Sequence, residues 1–287
     1  MQKQAYHIRT MLRHEIDLAI DWAAAEGWNP GLCDAESFYQ ADKNGFFVGT
    51  IDDTPVAMIS AIKYGESFGF IGFYIVESTN RNQGCGLRIW QKALAYLQGR
   101  TIGLDGVVAQ QDNYKKSGFT LAYQNIRYVY KKRVATMLNE SNHSNIVALS
   151  SIPFETISTY DAELFPNRRD SFLKHWLSMP NSNGVAFVDS GSLMGYGVIR
   201  QCRNGYKIGP LFADNAIVAE TIFQSLIKNV PLETDIYLDV PEVNAAALAL
   251  VQRYGMEKSF ETARMYKGEI PNLPIVKVFG VTTFELG

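Results

Sequence analysis

The sequence has little cysteine, no paired metal ligands, no excess of charge of one sign and no long apolar run. Its three cysteines, Cys33, Cys85 and Cys202, are odd in number and scattered, which suits neither a disulfide framework nor a zinc site. The four histidines, His7, His14, His143 and His175, show no ligand spacing, so no metal is expected. Lys+Arg number 27 against 29 Asp+Glu, a net charge of −2, which denies the chain a broad basic surface and makes nucleic acid an unexpected partner. No segment approaches the roughly 18 apolar residues that would span a bilayer. Arg9, Arg13, Glu15 and Asp17 stand where a secretion signal would need its apolar stretch. No membrane partner is expected, and the expected location is the cytoplasm.

What is present fits a globular α/β protein. The chain is 47% hydrophobic and 20% charged, and 287 residues are enough for about two domains. Leu12, Ile16, Ala19, Ile20 and Ala23 recur at helical spacing. A short helix is expected at 35–40, then strands at 45–51, 55–64 and 68–76, with Asp52-Asp53 as a turn. A helix over 84–97, a strand over 101–108, a short helix over 112–117 and a strand over 119–130 complete the first half. The polar stretch KKRVATMLNESNHSN reads as a linker, giving domains at 1–135 and 146–287 joined by 136–145. The second half repeats the order: helices in 153–177, strands at 185–189, 193–200 and 206–212, a helix at 215–229, a strand at 235–240, a helix at 244–254, then strands. Two copies of one architecture suggest a duplication.

The segment most informative about chemistry is Phe73-Tyr-Ile-Val-Glu-Ser-Thr-Asn-Arg-Asn-Gln-Gly-Cys-Gly-Leu87. A buried strand enters a polar turn, then Gly84-x-Gly86, then an amphipathic helix. Glycines there let the backbone approach a ligand and leave the first helical N–H groups outward, a setting for pyrophosphate. The pattern is neither a Walker loop nor a dinucleotide turn. A plain strand–turn–helix connection is the alternative.

Arg81-Asn-Gln-Gly84-Cys-Gly86 resembles the R/Q-x-x-G-x-G/A motif of the GNAT superfamily of acyl-CoA-dependent N-acyltransferases. Tyr114-Lys-Lys-Ser-Gly-Phe119 is similar to the family's Tyr-x-x-x-Gly-Phe ending. The whole chain resembles the YitH-like tandem acetyltransferases, with a second GNAT-like domain at 146–287 that lacks the pyrophosphate loop. The resemblance implies two layered domains, each a mixed, mostly antiparallel sheet with helices on both faces. It implies acetyl-CoA as cosubstrate, the main chain of Tyr74, Ile75 and Val76 on pantetheine, and Arg81, Asn82, Gln83, Gly84, Cys85, Gly86 and Leu87 around pyrophosphate, with Asn113 as a further contact. The strands at 70–76 and 103–108 should splay to admit the cofactor's arm.

Tyr114 sits where members of the family protonate the leaving thiolate; a packing role is the alternative. Asp105, an acid inside the apolar strand GLDGVV, is the candidate base or a bond to backbone at the splay, with Glu77 behind it. Val251 stands where the second half would need its tyrosine, so that half is expected to bind CoA poorly and to shape the acceptor pocket. Asp239, Arg200 and Arg264 either face that pocket or form structural ion pairs. The expected function is acetyl transfer to a primary amine of a small-molecule or peptide acceptor. A CoA-sensing binding module and a peptidoglycan-type aminoacyl transferase are the rivals.

Overall fold

The structure is a computed structural model that describes residues 6–132 and 144–287, so most of the expected linker lies outside the described residues. A strand that the sequence did not announce, β1 (Tyr6–Thr10), precedes α1 (Ile16–Ala25) and α2 (Asp34–Ala41). Then come β2 (Phe46–Ile51), β3 (Thr54–Tyr64) and β4 (Phe68–Val76). Asp52 and Asp53 join β2 to β3 with φ of 48° and 61°, the left-handed pair that a tight hairpin needs and that Asp tolerates. The half closes with α3 (Cys85–Tyr96), β5 (Thr101–Val107), α4 (Gln111–Lys116) and β6 (Thr120–Lys132).

The second half follows the expected order. It comprises β7 (Ile146–Ala148), α5 (Phe154–Ala162), α6 (Asp170–Leu177), β8 (Ser182–Asp189), β9 (Ser192–Gln201) and β10 (Tyr206–Ala213). After these come α7 (Ala216–Ile227), β11 (Thr234–Pro241), α8 (Ala245–Arg253), β12 (Glu257–Lys267) and β13 (Val278–Gly280).

The strands of both halves join one sheet, β1-β2-β3-β4-β5-β12-β6-β11-β10-β9-β8-β7, with β13 added against β10. The halves are interleaved at its centre. β12 of the second half lies between β5 and β6, and β6 of the first lies between β12 and β11. Packing follows the same plan. Ile16, Ala19 and Phe38 of α1 and α2 share a core with Ile157, Phe172 and Trp176 of α5 and α6. Separate clusters form under α3, with Ile89, Trp90 and Ala93, and under α7 and α8, with Ile222, Phe223 and Leu250. Each large apolar side chain so buried contributes about 1.5–3 kcal/mol, which makes the shared core a principal tie between the halves.

Cross-strand ion pairs supply another tie. Asp239 faces Arg127 across β11 and β6, and Arg264 faces Asp105 across β12 and β5. Arg127 grips Asp239 through Nε at 2.6 Å and Nη2 at 2.8 Å. Arg200 of β9 reaches Asp34 of α2 through Nε at 2.9 Å. Of the two readings for Asp239, Arg200 and Arg264, the ion pair is the one these contacts describe.

Candidate active site

β4 and β5 run parallel and pair from Phe68↔Thr101 to Ile71↔Leu104, where their pairing stops. The cause lies in β4. Phe73 takes a left-handed φ of 47°, and the register against β3 slips between Met58 and Ser60, the signature of a bulge. Beyond it β4 keeps β3 as partner through Met58↔Ile75 and Ala57↔Val76, while β5 pairs with β12 on its far side. The expected splay is present: a wedge with the main chain of 73–76 along one wall. The bulge also changes which residues share a face. Phe68, Phe70, Phe73 and Ile75 all enter the central core, while Tyr74 and Val76 lean against the cluster under α3.

After Val76 the chain makes a single 3-10 turn at Ser78–Asn80. Glu77 is tied into that turn by Thr79 Oγ1 at 2.9 Å and Asn80 Nδ2 at 2.5 Å. Asn82 (φ 63°) and Gly84 (φ 84°) both take left-handed backbone. Gly84 is the N-cap of α3 and, among the described residues, no side chain caps the helix, which leaves its first amides for an outside acceptor. With the helix dipole behind them they suit an anion. A β-carbon on Gly86 would come within 2.8 Å of Tyr74 Oη, so glycine lets helix and strand meet.

A cavity of about 520 Å³ opens here. Of the residues predicted from sequence, Tyr74, Ile75, Val76, Arg81, Asn82, Gly84, Gly86, Leu87, Asp105 and Tyr114 line it. Gln83, Cys85 and Asn113 do not. Gln83 Nε2 donates to Thr79 O at 2.9 Å, the buried Cys85 receives Tyr6 Oη on its carbonyl at 3.1 Å, and Asn113 Nδ2 donates to Gln110 Oε1 at 2.7 Å on the exposed side of α4. Gln110 lines the cavity instead. Arg81 points its charge at Glu26 (Nη2–Oε1 2.7 Å) and its Nε at Val76 O (2.9 Å), which ties the turn to the end of α1.

Tyr114 is 7% exposed and packs its ring on Trp90 with centroids 5.5 Å apart. Burial, and to a lesser degree Tyr74 nearby, pushes its phenol well above the ordinary tyrosine range. Like any tyrosine it is protonated, and so a donor, at neutral pH. Asp105 is differently placed. Both oxygens are held by Arg264, Nε at 2.8 Å and Nη2 at 2.6 Å, and Asn125 Nδ2 adds a third donor at 2.8 Å. Those three donors, all side chains, engage both oxygens of the candidate base and leave one acceptor position on Oδ2.

Sequence reasoning missed the far wall. Trp28, Phe260, Thr262, Phe284 and Glu285 line the cavity, four of them from the second half. No motif surrounds them; they arrive because β12 is inserted beside β5 and because residues 281–287 run back, buried, into the first half.

The second half has a matching wedge, filled by its own chain. β10 and β11 pair in parallel only from Tyr206↔Ile236 to Ile208↔Leu238. β13 then pairs with β10 at Leu211 and Phe212, and Val281 N donates to Asp239 O at 2.9 Å. The amides at the start of α7 are taken by Asn215 Oδ1, at 3.0 Å from Ile217 N and 3.1 Å from Val218 N. Asn244 caps α8 and donates Nδ2 to Val278 O at 2.9 Å, pinning the inserted strand.

Sequence comparison decides the family. A model described as Acetyltransferase (GNAT) family matches residues 14–119, and one described as Acetyltransferase (GNAT) domain matches 157–280. Holothin acyltransferase of Pseudoalteromonas sp. (strain SANK 73390) is 30% identical over 275 residues, covering 95% of this chain and 92% of the relative. The chain belongs to the GNAT acyltransferases. It is an acyltransferase with two GNAT domains in tandem. The GNAT fold extends over its whole length. A putative acetyltransferase from Pyrococcus horikoshii superposes with a TM-score of 0.84 at 22% identity, over 100% of this chain and 98% of the other. A tandem GNAT protein from the clavulanic acid biosynthesis pathway gives 0.62 at 11% identity, over 93% and 100%. Among the described residues no cluster of three or more His, Cys, Asp or Glu could hold a metal ion, and no helix is long and apolar enough to cross a membrane.

Proposed function

We propose that the protein transfers an acyl group, acetyl in the simplest case, from acyl-CoA to a primary amine, directly and in a ternary complex, at the cavity of the first half. One observation carries the reading: an open strand wedge, an uncapped helix start and a buried tyrosine converge on that cavity. The residues fit the cosubstrate. The edge of β4 over 74–76 that β5 leaves unpaired can take the amides of pantetheine as an added strand, with Arg81 Nε already on Val76 O. The amides that follow Gly84 suit its pyrophosphate. Bound there, acyl-CoA supplies an activated thioester. The main-chain N–H near Tyr74 can polarise its carbonyl, and Tyr114, a protonated phenol at neutral pH, can donate to the departing sulfur. The curated relative is named for acyl transfer, and only that class of reaction is carried over; the amine acceptor is our reading of the site.

Two measurements test this. Calorimetry is expected to find one CoA per chain, because β13 occupies the second wedge and Asn215 caps the second helix. Two per chain would overturn the division of labour, and none would end the reading. The Tyr114→Phe protein is expected to lose about 100-fold in kcat, read as thiol release, with CoA affinity kept. Unchanged turnover would remove Tyr114 from the chemistry.

A further inference from the structure

The cavity holds a carboxylate that the chemistry above leaves unused. Glu285 is 3% exposed, lines the cavity, and has no hydrogen-bond partner on either oxygen among the described residues. Thr262 Oγ1, in the same lining and on a residue 2% exposed, is equally unpartnered. Buried polar atoms nearly always find partners in folded proteins, and a buried carboxylate has most to lose without them. Two such groups on residues that line one cavity mark a place for a ligand's donors.

The backbone that carries Glu285 is held on all sides. A β-carbon on Gly72 would come within 1.9 Å of the Glu285 carbonyl oxygen, so the tail lies directly on β4 at the bulge. Tyr64 Oη donates to Leu286 O at 3.0 Å, Leu286 N to Thr283 Oγ1 at 2.9 Å, and Arg169 Nη2 to Thr282 Oγ1 at 2.8 Å. The charge of Glu285 is felt by Arg127, Arg200 and Lys207. Arg127 is engaged by Asp239, Arg200 by Asp34, and Lys207 Nζ donates to Trp28 O at 3.3 Å. Three cations thus face three carboxylates in the buried nest, and both Glu285 oxygens, like Arg200 Nη1 and Nη2, are left without a hydrogen bond among the described residues. Trp28, Phe260 and Phe284 give the same cavity aromatic walls.

Resting on the acyl-transfer reading, the geometry points to Glu285 as the residue that receives the acceptor, and to a cationic primary amine on a flat ring as the acceptor class. Glu285 and Thr262 hold the ammonium while the aromatic walls take the ring. Glu285 accepts one proton from the ammonium and releases it to water. The freed nitrogen forms its bond to the acyl carbon, the carbon–sulfur bond breaks with its pair on sulfur, and the nitrogen sheds its surplus proton to water. The sulfur takes a proton from Tyr114, which recovers one from water. The products are one amide, one thiol and one proton.

The test uses tryptamine and tyramine as probes, with tryptophan and indole-3-ethanol as controls, on the full chain loaded with CoA. Calorimetry is expected to show amine binding to the wild type, about 30-fold weaker binding to Glu285→Gln, and unchanged CoA affinity, which also reports that the variant is folded. With acetyl-CoA, Glu285→Gln is expected to lose about 100-fold in kcat/KM for the amine, and Glu285→Asp less. Equal amine binding by wild type and Glu285→Gln overturns the proposal. So does wild type that binds indole-3-ethanol as tightly as tryptamine, or that binds neither amine. Absence of CoA binding or of thiol release from the wild type removes the acyl-transfer reading as well; thiol release indifferent to Glu285→Gln removes this inference alone.

Discussion

Asparagine at position 239 is expected to cost about 3–5 kcal/mol of folding stability, measured by urea unfolding at neutral pH. Asp239 and Arg127 are both buried, with side chains 2% and 3% exposed, and are opposite one another on the strands that join the halves. An amide keeps the shape and removes the charge, which leaves the Arg127 guanidinium in the interior without its counterion. Arg127 Nη1 would keep only the Trp28 carbonyl, now at 2.7 Å. The pH dependence follows from the same pair. Burial pushes the Asp239 carboxyl up, but the Arg127 guanidinium against it prevails and holds it below the usual carboxylate range. Stability from a depressed carboxyl is complete above the unfolded value and fades as pH falls toward the folded one. The gap between wild type and Asp239→Asn should therefore narrow below about pH 4. A gap under about 1 kcal/mol at neutral pH, or one that widens on acidification, would contradict the account.

The second large effect is expected from a single methyl group. Gly72→Ala puts a β-carbon within 1.9 Å of the Glu285 carbonyl oxygen and 2.8 Å of its carbonyl carbon. These are backbone atoms, with no flexible side chain to swing away, so either β4 or the tail must move. β4 is locked by its pairing with β3 and by Phe70 and Phe73 in the core. The tail, held by single side-chain hydrogen bonds and not by a strand ladder, is the softer partner. We expect a stability loss of about 1–3 kcal/mol from the overpacking. Displacing Glu285 by about 1 Å is expected to lower turnover about 100-fold while CoA affinity survives. Steady-state kinetics beside calorimetry reads both. Turnover within about threefold of wild type would mean that the tail's position is not what the site depends on.

Most elements were legible because local pattern fixes them. The strand at 68–76 and the helix after Gly84 lie where apolar periodicity and the glycine turn put them. β1 escaped because it is an edge strand of five residues whose alternation rests on Tyr6 and Ile8 alone, too short to stand out. The glycine turn and Tyr114 could be read because backbone amides and a short helix act over a few residues. The partner of Asp105 could not be read for the opposite reason: Arg264 is distant in sequence and adjacent in the sheet. Glu285 carried no local sign at all, since its setting is made by Gly72 and by the strand exchange.

That exchange has a consequence for how the chain is born. Emerging from the ribosome, the first half displays β5 with an empty edge, because its neighbour β12 has yet to be synthesised. Folding is therefore not expected to complete the first module before the second is made, and a nascent first half would expose a strand open to wrong partners. The second copy, whose own wedge is filled by β13, thus lends the first a strand: without β12 the sheet would be interrupted between β5 and β6.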